Sequence, residues 1–318
     1  IAIDATLTVS AAKTFDLNSR SLTAATLVNN GTLQLTGIET VAISNMDTDS
    51  GTVTYTGSGT YTGLAAGDAY YSLTFNGTGG TWVLDAPLDV DGDLTITAGT
   101  LGVSTSNHAV AVAGSWTNDG VFTARAGTVT FNATGTGKTV AAGASSFYNV
   151  VYSGTGGWTI SENLTALNDL TLSSCASSGG FIVPSGVTVT VNGTFSNSVG
   201  GSATGWDSGS VLALTRTGGG RYAINSRTGT GDVYGTLWVG ADTDIGMWSS
   251  SATTYSINAT GSLYSMDHAG TDGDLYVWGD YRVPDASTAY WSYTRDFDGT
   301  SLGVPRQAVV KLASGAAV

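Results

Sequence analysis

The sequence predicts an all-β chain folded as a parallel β-helix, a β-solenoid of short strands with almost no helix, and three observations carry that expectation. The chain repeats itself: Gly51-Thr-Val-Thr-Tyr55 returns as Gly127-Thr-Val-Thr-Phe131, an offset of 76 residues. Apolar residues alternate with period two, as at Val53 and Tyr55, Leu94 and Ile96, Val110 and Val112, and Val187, Val189 and Val191, which is the pattern of strands buried on one side. Gly, Asn and Asp punctuate these runs, and no long window carries helical periodicity with caps. Tandem similarity along one chain favours coils stacked on coils. A tandem β-sandwich array is the alternative, because a unit of this size is also close to a small sandwich.

The elements follow in order. Near the N-terminus, Leu27-Val-Asn-Asn-Gly-Thr-Leu33 matches the turn Thr117-Asn-Asp-Gly-Val-Phe122, so the solenoid is expected to begin close to Ile1. The first copy of the repeat spans about 51–126 and the second about 127–202, with Tyr71-Ser-Leu-Thr-Phe75 aligned to Tyr148-Asn-Val-Val-Tyr152 and Asp93-Leu-Thr-Ile96 to Asp169-Leu-Thr-Leu172. Each copy is expected to hold about four rungs of roughly 18 to 20 residues. Fragments of a third copy follow at Thr190-Val-Asn-Gly-Thr-Phe-Ser-Asn197 and Gly209-Ser-Val-Leu-Ala-Leu214. Glycine-rich stretches near 200–205 and 218–220 suggest a soft boundary, with 1–205 as the repeat-bearing solenoid and 206–318 as its degenerate, aromatic-rich continuation. Val309 to Val318 reads as one more strand, turn and strand.

Composition narrows the function classes. A net charge of -13 and a pI near 4.2 are unsuited to neutralising a phosphate backbone, so nucleic acid is not an expected partner. No run of 18 apolar residues occurs, so no membrane span is expected. The start, Ile1-Ala-Ile-Asp4, lacks both Met and a charged leader region, as in a processed chain or one excised from something longer. Cys175 stands alone, so no internal disulfide is expected. Of the 24 acids only Glu39 and Glu162 are glutamates, and a chain that prefers Asp so strongly is using it to close turns.

Candidate sites are few. Asp89, Asp91 and Asp93, with Asp85 nearby, resemble the start of a calcium loop, and calcium is the single cofactor the sequence suggests. The repeat argues against it, since the second copy has Ser161, Thr165 and Leu167 in place of the first three acids and keeps only Asp169. An acid retained before a strand reads as a corner cap. His108 and His268 are isolated, so zinc is not expected, and no catalytic residue can be assigned. Tyr276, Trp278, Tyr281, Tyr290, Trp291 and Tyr293 are candidates for ligand or interface contact, Tyr276 and Trp278 falling on one face of a strand. Sequons at Asn30, Asn76, Asn132, Asn163, Asn192 and Asn258 permit surface glycosylation.

At Gly114-Ser-Trp-Thr-Asn-Asp-Gly120, Gly127-Thr-Val-Thr-Phe131 and Phe147-Tyr-Asn149, the sequence resembles the long, repeat-rich cell-surface and adhesin-like β-solenoid proteins of bacteria. That resemblance implies export and display at the cell surface, and it carries no catalytic residues. The function expected is therefore a non-enzymatic structural protein of an extracellular assembly, either a surface stalk or a self-associating filament subunit. Its partners would be copies of itself or other cell-surface components, because uncapped solenoid edges seek another strand. A carbohydrate-binding adhesin using the aromatic third is the alternative. A polysaccharide-degrading β-helix enzyme, with Arg216, Arg221 and Arg227 set against Asp232, Asp242 and Asp244, is the further one.

Overall fold

A computed structural model of the chain describes residues 1–199 and 203–215 in full, and the backbone of short strands between residues 220 and 276. These residues contain no helix, and their strands pair in parallel and stack as a β-solenoid. No helix is long and apolar enough to cross a membrane among the described residues. The chain divides into two compact units, Ile1–Gly154 and Thr155–Val318.

In the first unit a turn carries two or three strands, and most of them pair in parallel with the strand at the same position one turn earlier, the first position being interrupted between Val41–Asn45 and Ala69–Tyr70. The first position is held by Ala2–Val9, Leu22–Asn29 and Val41–Asn45, and in later turns by Ala69–Tyr70, Leu88–Val90, Val110–Val112, Thr128–Phe131 and Asn149–Ser153. The second position stacks Thr14–Asp16, Thr32–Leu35, Thr52–Tyr55, the starts of Ser72–Val83 and Leu94–Gly102, then Trp116–Asn118 and Lys138–Ala141. The third position holds Thr60–Thr62, the ends of Ser72–Val83 and Leu94–Gly102, and Val121–Thr123.

Alternation explains why this stack is stable. In Thr52-Val-Thr-Tyr55 the two threonines point outward while Val53 and Tyr55 are buried, and Thr32–Leu35, Leu88–Val90, Val110–Val112, Thr128–Phe131 and Thr188–Val191 repeat the arrangement on their own faces of the coil. Register then places like residues above one another: Leu33, Val53, Leu73, Leu94 and Trp116 at the second position, and Tyr61, Trp82, Leu101 and Phe122 at the third. Phe131 and Tyr152, one turn apart, stack with ring centroids 4.9 Å apart. Trp116 meets Phe147 edge-on at 5.2 Å. Both geometries are favourable for aromatic pairs.

The rungs vary in length more than the sequence suggested. They span 18 residues from Thr14 to Thr32 but 20 from Leu33 to Val53 and 24 from Trp116 to Val140. The 76-residue repeat is consequently not four turns. Thr52–Tyr55 lies at the second position and its copy Thr128–Phe131 at the first, eleven strand positions later, which is three and two-thirds turns. Ser72-Leu-Thr-Phe75 and Asn149-Val-Val-Tyr152 show the same displacement. A strand with core on one side and solvent on the other suits any face of the coil, so the duplication was free to fall out of phase with the turn.

In the second unit, Trp158–Ile160, Phe181–Val183 and Thr204–Trp206 form one parallel stack, and Leu164–Ala166, Thr188–Val191, Val211–Leu214, Thr236–Val239 and Leu263–Ser265 another. Leu170–Ser174 pairs with Phe195–Asn197. Gly220–Ala223, Thr243–Gly246 and Leu275–Tyr276 continue the pattern, as do Val233–Tyr234 and Asn258–Ala259.

Candidate functional site

The polar side chains that could carry chemistry gather at the corners between strands, where the backbone leaves the sheet ladder and needs other partners. Asp93 precedes a strand, and its Oδ1 accepts the N–H of Ser115 on the next turn at 2.8 Å. Asp169, its counterpart in the second copy, accepts the N–H of Thr194 at 2.7 Å. The acid that persists between copies is thus the one that ties a corner to the following rung. Asn163 does the same for the N–H of Thr188 at 2.8 Å, Asn107 for Ala126 at 3.0 Å, and Ser115 Oγ for Thr139 at 3.1 Å.

The other members of the acidic cluster are placed differently. Asp89 projects outward from Leu88–Val90, and Asp91 and Asp93 lie at the exposed corner beyond it. Partial burial, with the charge of Asp91 beside it, raises the Asp89 carboxyl above its ordinary value. Among the described residues no group of three or more His, Cys, Asp or Glu comes together as a metal site. His108 lies within electrostatic reach of Asp68, whose carboxyl is raised by burial and by the charge of Asp85 and lowered by the histidine.

Two carboxylates have a role that sequence reasoning missed. Glu39 is only 6% exposed. Its Oε1 accepts the N–H of Ser19 at 3.1 Å and the N–H and hydroxyl of Thr36 at 2.8 Å, and its Oε2 accepts the N–H of Gly37 at 2.7 Å. Burial alone would raise this carboxyl, but the Thr36 and Gly37 donors outweigh it and hold the group below its ordinary value. Asp47 behaves alike, accepting the N–H of Asn29 at 2.6 Å and of Asp49 at 3.1 Å. The sequence signal for Glu39 was its rarity: the loop needs a side chain longer than Asp to reach back to Ser19.

Buried amides complete the corners. Asn29 and Asn118, both 2% exposed, donate through Nδ2 to Thr52 O at 3.0 Å and Ala142 O at 2.9 Å on the next turn. Each faces a glycine there, Gly51 with φ +70° and Gly143 with φ +63°, where a Cβ would lie 2.0 Å from the asparagine carbonyl oxygen. Within the core, Ala66 N–H donates to Tyr55 Oη at 3.0 Å, Tyr55 and Tyr70 share a hydrogen bond at 2.9 Å, and the Tyr70 hydroxyl ends on Gly67 O.

The remaining predicted residues are distributed, not gathered. Asn30, Asn76, Asn132 and Asn163 are exposed, and Asn192 is half-buried with its Oδ1 accepting the Thr215 hydroxyl at 2.6 Å. Asn258 begins the strand Asn258–Ala259, and Tyr276 ends Leu275–Tyr276. Trp278, Tyr281, Tyr290, Trp291 and Tyr293 lie outside the described residues. Of the basic candidates, Arg221 is in register with Asp244 on the adjacent strand. Burial pushes the half-buried Cys175 thiol up to about 11, which makes it a poor nucleophile at neutral pH. Comparison with protein-family models, with curated proteins and with solved structures finds no match to this chain.

Proposed function

We propose that this chain is a non-enzymatic structural element of an extracellular assembly, a cell-surface stalk or a subunit of a self-associating filament. One observation carries the reading: the corner residues with chemical capacity, Glu39, Asp93, Asn118, Asn163 and Asp169, are engaged in bonds to neighbouring backbone, most of them between one turn and the next. A carboxylate held by main-chain N–H groups steadies a stack and is poorly placed to attack or shuttle protons. The acidic, uncharged-hydroxyl-rich composition supports a solvated outer surface, and its partners would be copies of itself or other surface components. Electron microscopy of the purified chain across a wide concentration range tests this. Elongated or laterally joined particles are expected, and a strictly monomeric species at every concentration would remove self-association. Release of reducing ends from a panel of acidic polysaccharides would overturn the non-enzymatic reading.

A further inference from the structure

Five amide or acid residues of the described chain are followed by glycine: Asn76-Gly77 lies within the strand Ser72–Val83, and Asn30-Gly31, Asp91-Gly92, Asp119-Gly120 and Asn192-Gly193 lie at corners. Packing demands the glycine. A Cβ on Gly31 would sit 2.3 Å from Lys13 O and 2.4 Å from Ser10 O, and one on Gly193 would sit 2.5 Å from Asn168 O. Three of the four glycine nitrogens are engaged: Gly92 donates to Tyr71 O at 2.6 Å, Gly120 to Ile96 O at 3.0 Å, and Gly193 to Asn168 O at 2.8 Å. Gly31 differs. Its neighbours Asn30 and Thr32 donate to Val9 O and Lys13 O, both at 2.8 Å, while the Gly31 N–H has no acceptor among the described residues. The Asn30 side chain is exposed, and its Oδ1 lies 3.4 Å from the Ser50 hydroxyl, which also reaches Asn29 O at 3.1 Å and Asp47 Oδ2 at 3.4 Å.

We propose that Asn30 is a site of spontaneous self-modification. The Gly31 nitrogen attacks Asn30 Cγ; the new N–Cγ bond closes a five-membered succinimide, the Cγ–Nδ2 bond breaks, and ammonia leaves with the proton that the Gly31 nitrogen gives up. Water then opens the ring. Breaking N–Cγ returns an α-linked aspartate, and breaking the bond from that nitrogen to the main-chain carbonyl leaves an isoaspartate, with no oxidant or reductant involved. The Ser50 hydroxyl donates to the oxygen on which negative charge develops during the attack, as an oxyanion donor does. Glycine at the next position leaves the attacking nitrogen unshielded, and the corner cannot relinquish it. The product adds a carboxylate near Asp47, which shares the Ser50 hydroxyl, and, as isoaspartate, a further backbone atom at the corner that Asp47 holds. Asn30-Gly-Thr32 is also a sequon, so a glycan on Nδ2 would block the reaction.

The full chain, held folded at mildly alkaline pH, is sampled over time by peptide mass mapping with isoaspartate detection. Asn30 is expected to lose its amide progressively, faster as pH rises, while Asn192, whose glycine nitrogen and carboxamide are both engaged, retains it. Equal persistence of the two amides overturns the proposal. Ser50→Ala is expected to slow loss at Asn30 severalfold even though it removes the bond to Asn29 O, since a looser corner alone would speed the loss. A faster rate would show that the hydroxyl restrains the corner, and an unchanged one would remove it from the reaction; either result overturns its assigned role.

Discussion

At the scale of single residues, stability at this molecule's corners depends on polar side chains bonded to backbone. Glu39 satisfies four donors, and Glu39→Gln replaces a charge-accepting group with one that offers only one acceptor oxygen, a loss of about 1–3 kcal/mol. Its carboxyl lies below its ordinary value in the folded chain, so its contribution is complete above the unfolded glutamate range and is lost as pH falls through the folded value. Asp47 acts in the same sense, whereas Asp68 and Asp89, both raised, act oppositely. Thermal melts from neutral to acid pH should show an acid limb that Glu39→Gln makes shallower. For Asp93, whose Oδ1 serves Ser115, Asp93→Ala should lower the melting temperature modestly. Calorimetry with calcium should give neither heat nor stabilisation if Asp89, Asp91 and Asp93 serve the corner alone.

At the scale of elements, each strand is short, and what positions it is the corner on either side. Gly51 and Gly143 sit in the left-handed region with an asparagine carbonyl where a Cβ would be. Gly51→Ala or Gly143→Ala should therefore cost more than the roughly 1 kcal/mol typical of glycine replacement, read as a lower denaturant midpoint. Asn118→Ala leaves Ala142 O with only the long bond from the Ser145 N–H at 3.4 Å and should cost about 1–3 kcal/mol. Trp116 is fully buried against Phe122, Phe131 and Phe147, so Trp116→Ala should cost about 3–5 kcal/mol. The strands themselves were legible because their period-two pattern is local: Val53 and Tyr55, Leu94 and Ile96, Val129 and Phe131 are all buried as alternation required. Glu39 was not legible, because its partner Ser19 lies twenty residues back and only the coil brings the two together.

At the scale of the whole molecule, the phase of the repeat is informative. Because a copy moves its strands from one position of the turn to another, the strands are interchangeable among faces, and the outward residues of the duplicated unit are not aligned along one side. Removing residues 51–126 should consequently leave a folded β-solenoid, with each later strand displaced by one position. Far-UV circular dichroism of the β type and a cooperative melt are expected of that deletion. An unfolded product would mean that strands are specific to their faces.

The sequence by itself determined that the chain is all-β and built as a solenoid, since alternation and tandem repetition are properties of neighbouring residues and survive any arrangement in space. It also singled out the persistent acid before a strand, at Asp93 and Asp169, as a corner cap. The length of the turn, the one-third-turn offset between copies and the partners of Glu39, Asn29 and Asn118 were decided by tertiary structure. Each depends on which residue lies one coil away, and that distance varies with the size of every corner: 18 residues at Thr14, 24 at Trp116. No local pattern records that sum.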